Sequence, residues 1–205
     1  MDAITESSKM ETTTNEVTNK VSIPRKKRIN QVILLVSLAI ILNAVLNHSL
    51  ANTPDLVKVG DTLPEFSVKS SQGEELGLST IEGKPALLYF FAEWCPCSHE
   101  SIGFIKQAED KFAKSGLTII GIGIQDRATN LAGFVKKHDL KFPVSISGGD
   151  DVARSLGVKT TPTALFVDKD GIVKAIHIGK IEHYDDIAEG LGLINQNNSN
   201  DSVQG

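Results

Sequence analysis

The sequence predicts an α/β fold with a mixed central sheet flanked by helices. Two continuous apolar runs, residues 86–92 and 117–124, are typical of strands that are buried on both faces. Residues with helical spacing follow each run, which favours alternation of strands and helices. Near the end of the domain, a strand, a tight turn and a second strand predict a hairpin that adds one antiparallel edge.

The first half of the predicted domain contains an edge strand, two buried strands and a helix. The alternating stretch FSVKS, which starts at Phe66, predicts the edge strand, and residues 71–85 read as a hairpin or a loop. After the strand at 86–92, apolar residues recur at helical spacing as far as Lys114, and Gly116 is a plausible helix stop. The second buried strand is predicted at 117–124.

The second half is predicted to add shorter elements and the hairpin. A helix ends near His138, a short strand FPVSI follows, and Asp150 or Asp151 caps a short helix. In the turn Asp-Lys-Asp-Gly, the glycine supplies a positive φ angle. The predicted strands of this hairpin are residues 163–167 and 172–178, and the closing helix is 184–193.

The N-terminal part has the pattern of a membrane-targeting segment. Residues 1–23 are polar and aperiodic, which predicts disorder. Four cations at 25–28 precede an uncharged apolar run at 32–46, and this order indicates export of the rest of the chain. The run is shorter than the roughly 20 residues that span a bilayer, so both an anchor and a signal-peptide core remain open. Ser49-Leu50-Ala51 offers small residues at the positions that a signal peptidase reads, but the long stretch before the apolar run slightly favours an uncleaved anchor.

Composition excludes several classes of function. The net charge is −4, and no Lys/Arg-rich patch follows residue 28, so no nucleic-acid partner is predicted. The two cysteines are too few for a disulfide scaffold. They are separated by one residue, in FFAEWCPCSHE, which indicates a reactive site rather than a structural disulfide. Nothing in the composition indicates a cofactor.

Cys95 is the candidate nucleophile. It directly follows a predicted buried strand and opens a helix, where unpaired backbone N–H groups and the helix dipole favour a thiolate. Pro96 suits the first helical turn because its missing N–H costs nothing there. A thiolate at neutral pH attacks disulfides. The alternative is that Cys95 and Cys97 are small apolar side chains that only contribute to packing.

Several motifs together carry a resemblance to a known family. They are the opening G-D-x-x-P-x-F, the G-K-P before the first buried strand, F-x-A-x-W-C-P and the later T-P-T. From about residue 59 to 193, the chain resembles the exported thiol-disulfide oxidoreductases of the TlpA/ResA type, near the AhpC/TSA redoxin group. This resemblance implies a thioredoxin-like fold and disulfide exchange with protein thiols or disulfides and a redox partner protein.

The resemblance also implies roles for individual residues. Cys95 matches the exposed attacking cysteine, Trp94 shields the site, and Pro96 lies between the two cysteines. Thr161-Pro162 matches a loop whose cis-proline faces the dithiol. The backbone of Thr161 is then expected to offer an N–H and a C=O to a substrate peptide.

The C-x-C spacing departs from the C-x-x-C of the family. A one-residue deletion aligns Cys97 with the second cysteine and Glu100 with a carboxylate that accepts protons near the thiol. An ungapped register instead places Ser98 at the resolving position. We favour the deletion. A disulfide between Cys95 and Cys97 closes a smaller ring, and the strain predicts a raised reduction potential.

Two other chemistries compete with disulfide exchange. Cys95, Cys97 and His99 form a C-x-C-x-H pattern that suits copper or zinc, although side chains at i and i+2 diverge on a helix. A peroxidase is disfavoured because Leu88 and Ala92 stand where a peroxidase motif has proline and threonine.

These inferences divide the chain into four parts. We predict a disordered cytoplasmic tail at 1–30, a membrane anchor or signal-peptide core at 31–48, a thioredoxin-like domain at 52–194 and a disordered tail at 195–205. The domain is predicted on the extracytoplasmic side of a bacterial inner membrane. If the chain is cleaved after Ala51, the domain is released into the periplasm.

Overall fold

The computed structural model describes residues 25–50 and 55–195. Most of the tails predicted at 1–30 and 195–205, and the cleavage predicted after Ala51, lie outside these residues. The chain divides into two units, one containing the first helix and one containing the α/β domain.

The first unit contains helix α1, Arg25–Leu50. Its apolar side chains are exposed along the run predicted to target a membrane, for example Leu34 at 67% and Ile40 at 63%. Among residues 25–50 and 55–195, no helix combines the length and the apolar character needed to cross a membrane.

The second unit alternates strands and helices, as predicted. Its elements in chain order are β1 Ser67–Ser70, β2 Glu75–Gly77, α2 Leu78–Ile81, β3 Ala86–Phe91, α3 Pro96–Phe112, β4 Thr118–Gly123, α4 Ala128–His138, β5 Val144–Ser147, α5 Gly149–Ser155, β6 Thr163–Val167, β7 Val173–Ile178 and α6 Asp185–Asn195. A short 3₁₀ turn, Ala113–Ser115, extends α3, and Gly116 ends it in the left-handed conformation, as its sequence position predicts.

The seven strands form one mixed sheet in the order β2-β1-β5-β4-β3-β6-β7. The central strands β5, β4 and β3 are parallel, and the pairs on either side of them are antiparallel. The prediction of a single antiparallel edge was therefore wrong. β2 pairs on the outer side of β1, so β1 is not the edge strand predicted from its alternating pattern.

Alternate residues of β3 enter two separate apolar layers, because side chains along a strand point to opposite faces. One layer includes residues of α2 and α5, and the other includes residues of α3, α4 and α6. Every residue of β3 is fully buried, which explains the continuous apolar run in the sequence. The buried central strand thus fixes the position of the residues that follow Phe91.

The cap of α5 differs from the prediction. The residue before the helix is Gly148, with a φ of 85°, and neither Asp150 nor Asp151 is the cap. Asp150 instead accepts a hydrogen bond from the Gln125 backbone N–H at 2.6 Å. The carboxylate is used to hold the loop after β4, a role that depends on tertiary structure.

Candidate functional site

Cys95 lies between the end of β3 and the start of α3. Its backbone N–H donates to the Ala92 carbonyl at 3.2 Å, which closes a tight turn after the strand. Pro96 is the first residue of α3 and is exposed. Cys95 thus stands at the strand-to-helix position that the sequence predicts. It is only 8% exposed and is therefore buried, so the exposed position that the resemblance implies was wrong.

The surroundings of Cys95 favour its thiolate. Burial by itself raises the pKa of the thiol. Hydrogen bonds from the backbone N–H and hydroxyl of Ser98, and then from the Cys97 N–H and the Thr161 side chain, outweigh burial and bring the pKa below its ordinary value. Cys95 is therefore suited to nucleophilic attack, since the thiolate is the reactive form.

The Thr161-Pro162 loop lies against the nucleophile. Its peptide bond is cis, and the Cys95 thiol is 3.7 Å from the Thr161 carbonyl oxygen. The Pro162 carbonyl accepts a hydrogen bond from Gly179 at 2.8 Å, which ties the loop to the end of β7. The loop and the cysteine, far apart in the sequence, form one site.

Trp94 stands beside Cys95 as an exposed aromatic side chain. It is 57% exposed, and its indole N–H donates to the Gln125 carbonyl at 3.1 Å. Gln125 has a φ of 51°, and Asp150 accepts a hydrogen bond from its N–H. Gln125 and Asp150 thus support the tryptophan, and no local sequence pattern identified them.

Cys97 and Glu100 lie on the outer side of the first turn of α3. Cys97 is half-buried, and loss of solvation raises the pKa of its thiol, followed in effect by the nearby Cys95 and Glu100. Lys180 opposes this rise, but it also forms an ion pair with Glu100 at 2.5 Å. The hydrogen bond that Lys180 donates to Glu100 raises the pKa of Lys180. Lys180 lies 80 positions from Glu100, so the sequence offered no signal for this pair.

Ser98 occupies the buried side of the same turn. It is fully buried, and its hydroxyl accepts the Ala92 N–H at 3.3 Å. The helix runs without interruption from Pro96, so Ser98 stands three residues after Cys95 and Cys97 stands two. The two alignments considered from the sequence assign the resolving position to different residues, Cys97 in one and Ser98 in the other. Which of them is correct stays a prediction.

The metal-binding alternative is not supported by the arrangement of His99. Its Nε2 is 2.7 Å from the Glu93 carbonyl oxygen and its Nδ1 is 2.7 Å from Nε2 of His138. Both ring nitrogens therefore have protein partners. Within residues 25–50 and 55–195, no group of three or more His, Cys, Asp or Glu is arranged to hold a metal ion.

Comparisons with known proteins agree with this fold. Residues 59–176 match the family model described as the AhpC/TSA family. The thiol-disulfide oxidoreductase ResA of Bacillus cereus is 31% identical over 144 residues, covering 70% of this chain and 83% of the relative. ResA of Geobacillus thermodenitrificans is 32% identical over 130 residues, covering 63% of this chain and 74% of the relative.

Solved structures show the same fold at lower identity. A thiol:disulfide interchange protein of the thioredoxin family from Chlorobium tepidum matches with a TM-score of 0.59 and 22% identity, covering 67% of this chain and 98% of that one. StoA from Bacillus subtilis matches with a TM-score of 0.53 and 18% identity, covering 62% and 96%. The predicted thioredoxin-like fold is thereby confirmed. The chain belongs to the AhpC/TSA family and, within it, to the ResA-type thiol-disulfide oxidoreductases.

Proposed function

We propose that this enzyme is exported and exchanges disulfides with protein substrates through Cys95-Pro96-Cys97. The observation that carries the proposal is the hydrogen bonding that lowers the pKa of Cys95 beside the Thr161-Pro162 loop. A nucleophilic sulfur that follows the end of a rigid central strand suits attack on a disulfide in another protein.

In the reducing direction, the Cys95 thiolate attacks one sulfur of a substrate disulfide. The substrate S–S bond breaks, a mixed disulfide forms, and the other substrate sulfur leaves as a thiolate. The Cys97 thiolate then attacks the Cys95 sulfur, which forms the Cys95–Cys97 disulfide and releases the second substrate sulfur. The substrate gains two electrons and the two cysteines lose them. A redox partner protein reverses the change, and the oxidising direction runs the same steps backwards.

The neighbouring side chains have distinct proposed roles. Trp94 and Pro96 offer exposed apolar surface to the substrate. The Thr161-Pro162 loop offers backbone groups to an extended peptide, much as a sheet edge does. Glu100 is proposed to accept the Cys97 proton, and its ion pair with Lys180 keeps it beside that thiol.

Trapping tests this function directly. In a Cys97→Ala variant, the mixed disulfide on Cys95 has no internal resolving thiol, so protein substrates should accumulate on it. Reduction of insulin disulfides should be lost in Cys95→Ala. A Cys95→Ala protein with unchanged activity, or an empty trap in the native host, would contradict the proposal.

Export is supported by the order of charges and apolar residues in the N-terminal segment. The four cations at 25–28 are expected to stay in the cytoplasm, while the apolar run directs the following domain across the membrane. We propose that residues 31–48 act as a signal-peptide core or as an anchor. A reporter that is active only outside the cytoplasm, fused after Gly205, should be active. It should become inactive when Leu35 and Ile40 are replaced by Asp, and an unchanged signal would argue against export.

A further inference from the structure

Ser98 lies at the place on α3 that faces the nucleophile from the interior. It is fully buried, whereas Cys97 beside it is half-buried. Its backbone N–H donates to the Cys95 carbonyl at 3.0 Å, so the turn that joins the two residues is closed. The hydroxyl is therefore held at a fixed position behind the Cys95 sulfur.

The donors and acceptors around the Ser98 hydroxyl determine its orientation. A serine hydroxyl has one proton to donate and two lone pairs that accept. The Ala92 N–H donates to the Ser98 oxygen at 3.3 Å, and the Tyr89 hydroxyl donates to the Ser98 carbonyl at 3.4 Å. The Ser98 side chain is also hydrogen-bonded to the Cys95 side chain. Because Ala92 occupies an acceptor site, the serine proton is available to the sulfur.

We propose that Ser98 is a catalytic residue of the disulfide exchange, whose hydroxyl donates a hydrogen bond to the Cys95 thiolate from its buried side. This inference rests on the proposed function of Cys95 and assigns a role to a residue outside the Cys95-Pro96-Cys97 segment. A hydroxyl at this place stabilises the anion without itself becoming a second redox centre. Resolution of the mixed disulfide is then left to Cys97, or to an external thiol.

Tyr89 acts as a positioning residue behind the serine. Its ring is fully buried on β3, and burial raises the pKa of its hydroxyl far above the ordinary value, so the group stays protonated and donates to Ser98. The titratable groups that face the two sulfur atoms from neighbouring elements include Tyr89 from β3, Glu100 from α3 and Lys180 from the segment after β7.

The test uses the full chain with Cys97→Ala, in which Cys95 is the single thiol. Iodoacetamide alkylation is measured from pH 5 to 10, with Ser98→Ala compared with Ser70→Ala. Ser70 is a buried serine on β1, and its hydroxyl accepts the Glu74 N–H at 3.1 Å. Ser98→Ala should react about tenfold more slowly at acidic pH, which corresponds to about 1.4 kcal/mol, and at the parent rate at alkaline pH. Ser70→Ala should follow the parent profile.

Tyr89→Phe provides a second variant that keeps the serine in place. It removes the hydroxyl that donates to the Ser98 carbonyl and is also hydrogen-bonded to the Ser101 side chain, so a smaller slowing of the same sign is expected. Parent-like profiles in both Ser98→Ala and Tyr89→Phe would overturn the inference, and so would equal slowing in Ser70→Ala. The insulin assay on the unmodified chain separates this failure from that of the proposed function, because only the latter requires the unmodified chain to be inactive.

Discussion

The Cys95 sulfur and the Thr161 carbonyl oxygen lie 3.7 Å apart, although the two residues are 66 positions apart in the sequence. The register of β3 and β6 explains this approach, because Phe90 pairs with Thr163. Each residue stands just beyond its end of this antiparallel pair. The central sheet thus assembles the nucleophile and the loop that is proposed to hold the substrate.

Replacing Thr161 by valine should slow the reaction of Cys95. The side chain of Thr161 hydrogen-bonds the sulfur and lowers the pKa of Cys95, and valine has a similar volume without the hydroxyl. We expect alkylation below neutral pH to fall by severalfold, since one hydrogen bond typically contributes about 1 kcal/mol, or about fivefold in the thiolate population. Thr160→Val is the matched control because Thr160 is exposed. Equal effects in both variants would show that the threonine hydroxyl does not act on the sulfur.

The lowered pKa of Cys95 should make the reduced protein more stable as the pH rises. Between its folded-state pKa and the ordinary thiol value, the unfolded chain binds more protons than the folded one, so the free energy of unfolding increases with pH. The contribution is complete above the ordinary thiol value and disappears as the pH falls through the folded-state pKa. Urea unfolding of the parent and Cys95→Ala proteins measures it. A difference that is constant across pH 6 to 10 would contradict the prediction.

Glu100 and Lys180 should shift the reactivity of Cys97 in opposite directions. In a Cys95→Ala background, Glu100→Gln removes a charge that raises the pKa of Cys97, so alkylation near neutral pH should become faster. Lys180→Gln removes a charge that lowers this pKa and should make it slower. Both groups are substantially exposed, so we expect changes of about twofold to threefold that shrink in salt. Shifts of the same sign would exclude an electrostatic origin.

His138 should make the fold less stable in acid. Burial lowers its pKa, followed in effect by His99, so the unfolded chain takes up a proton before the folded chain does. Stability should therefore fall as the pH drops through the ordinary histidine range, by at most about 1.4 kcal/mol per pH unit. His138→Gln should show a shallower dependence between pH 7 and 5 in urea unfolding. The exposed His183, changed to Gln, is the control, and an equal change there would argue against a role for His138.

The Cys95–Cys97 disulfide should have a higher reduction potential than thioredoxin. A pair separated by one residue closes a smaller ring than the usual C-x-x-C, and strain makes such a bond easier to reduce. Titration against glutathione should give a midpoint above about −270 mV. A midpoint at or below that value would remove the ring-strain argument. If no internal disulfide forms at all, Cys97 is not the resolving thiol.

Local patterns were sufficient for most elements of the α/β domain and for the position of the nucleophile. The apolar run before Trp94 predicts a buried strand, and Cys95-Pro96 predicts a helix start, because burial and backbone geometry act over a few residues. The order in which the strands pair was harder to predict from local patterns. The outer position of β2 was missed since a three-residue strand carries little periodic signal.

The sequence by itself determined where the reactive sulfur stands along the chain, because a strand, a cysteine and a helix start are consecutive. The tertiary structure decided what acts on that sulfur. Thr161 approaches it through the register of two strands, and Lys180 approaches the neighbouring thiol from the segment after β7. These contacts join residues that are 66 and more positions apart, and hydrogen bonds and charges act through space rather than along the chain.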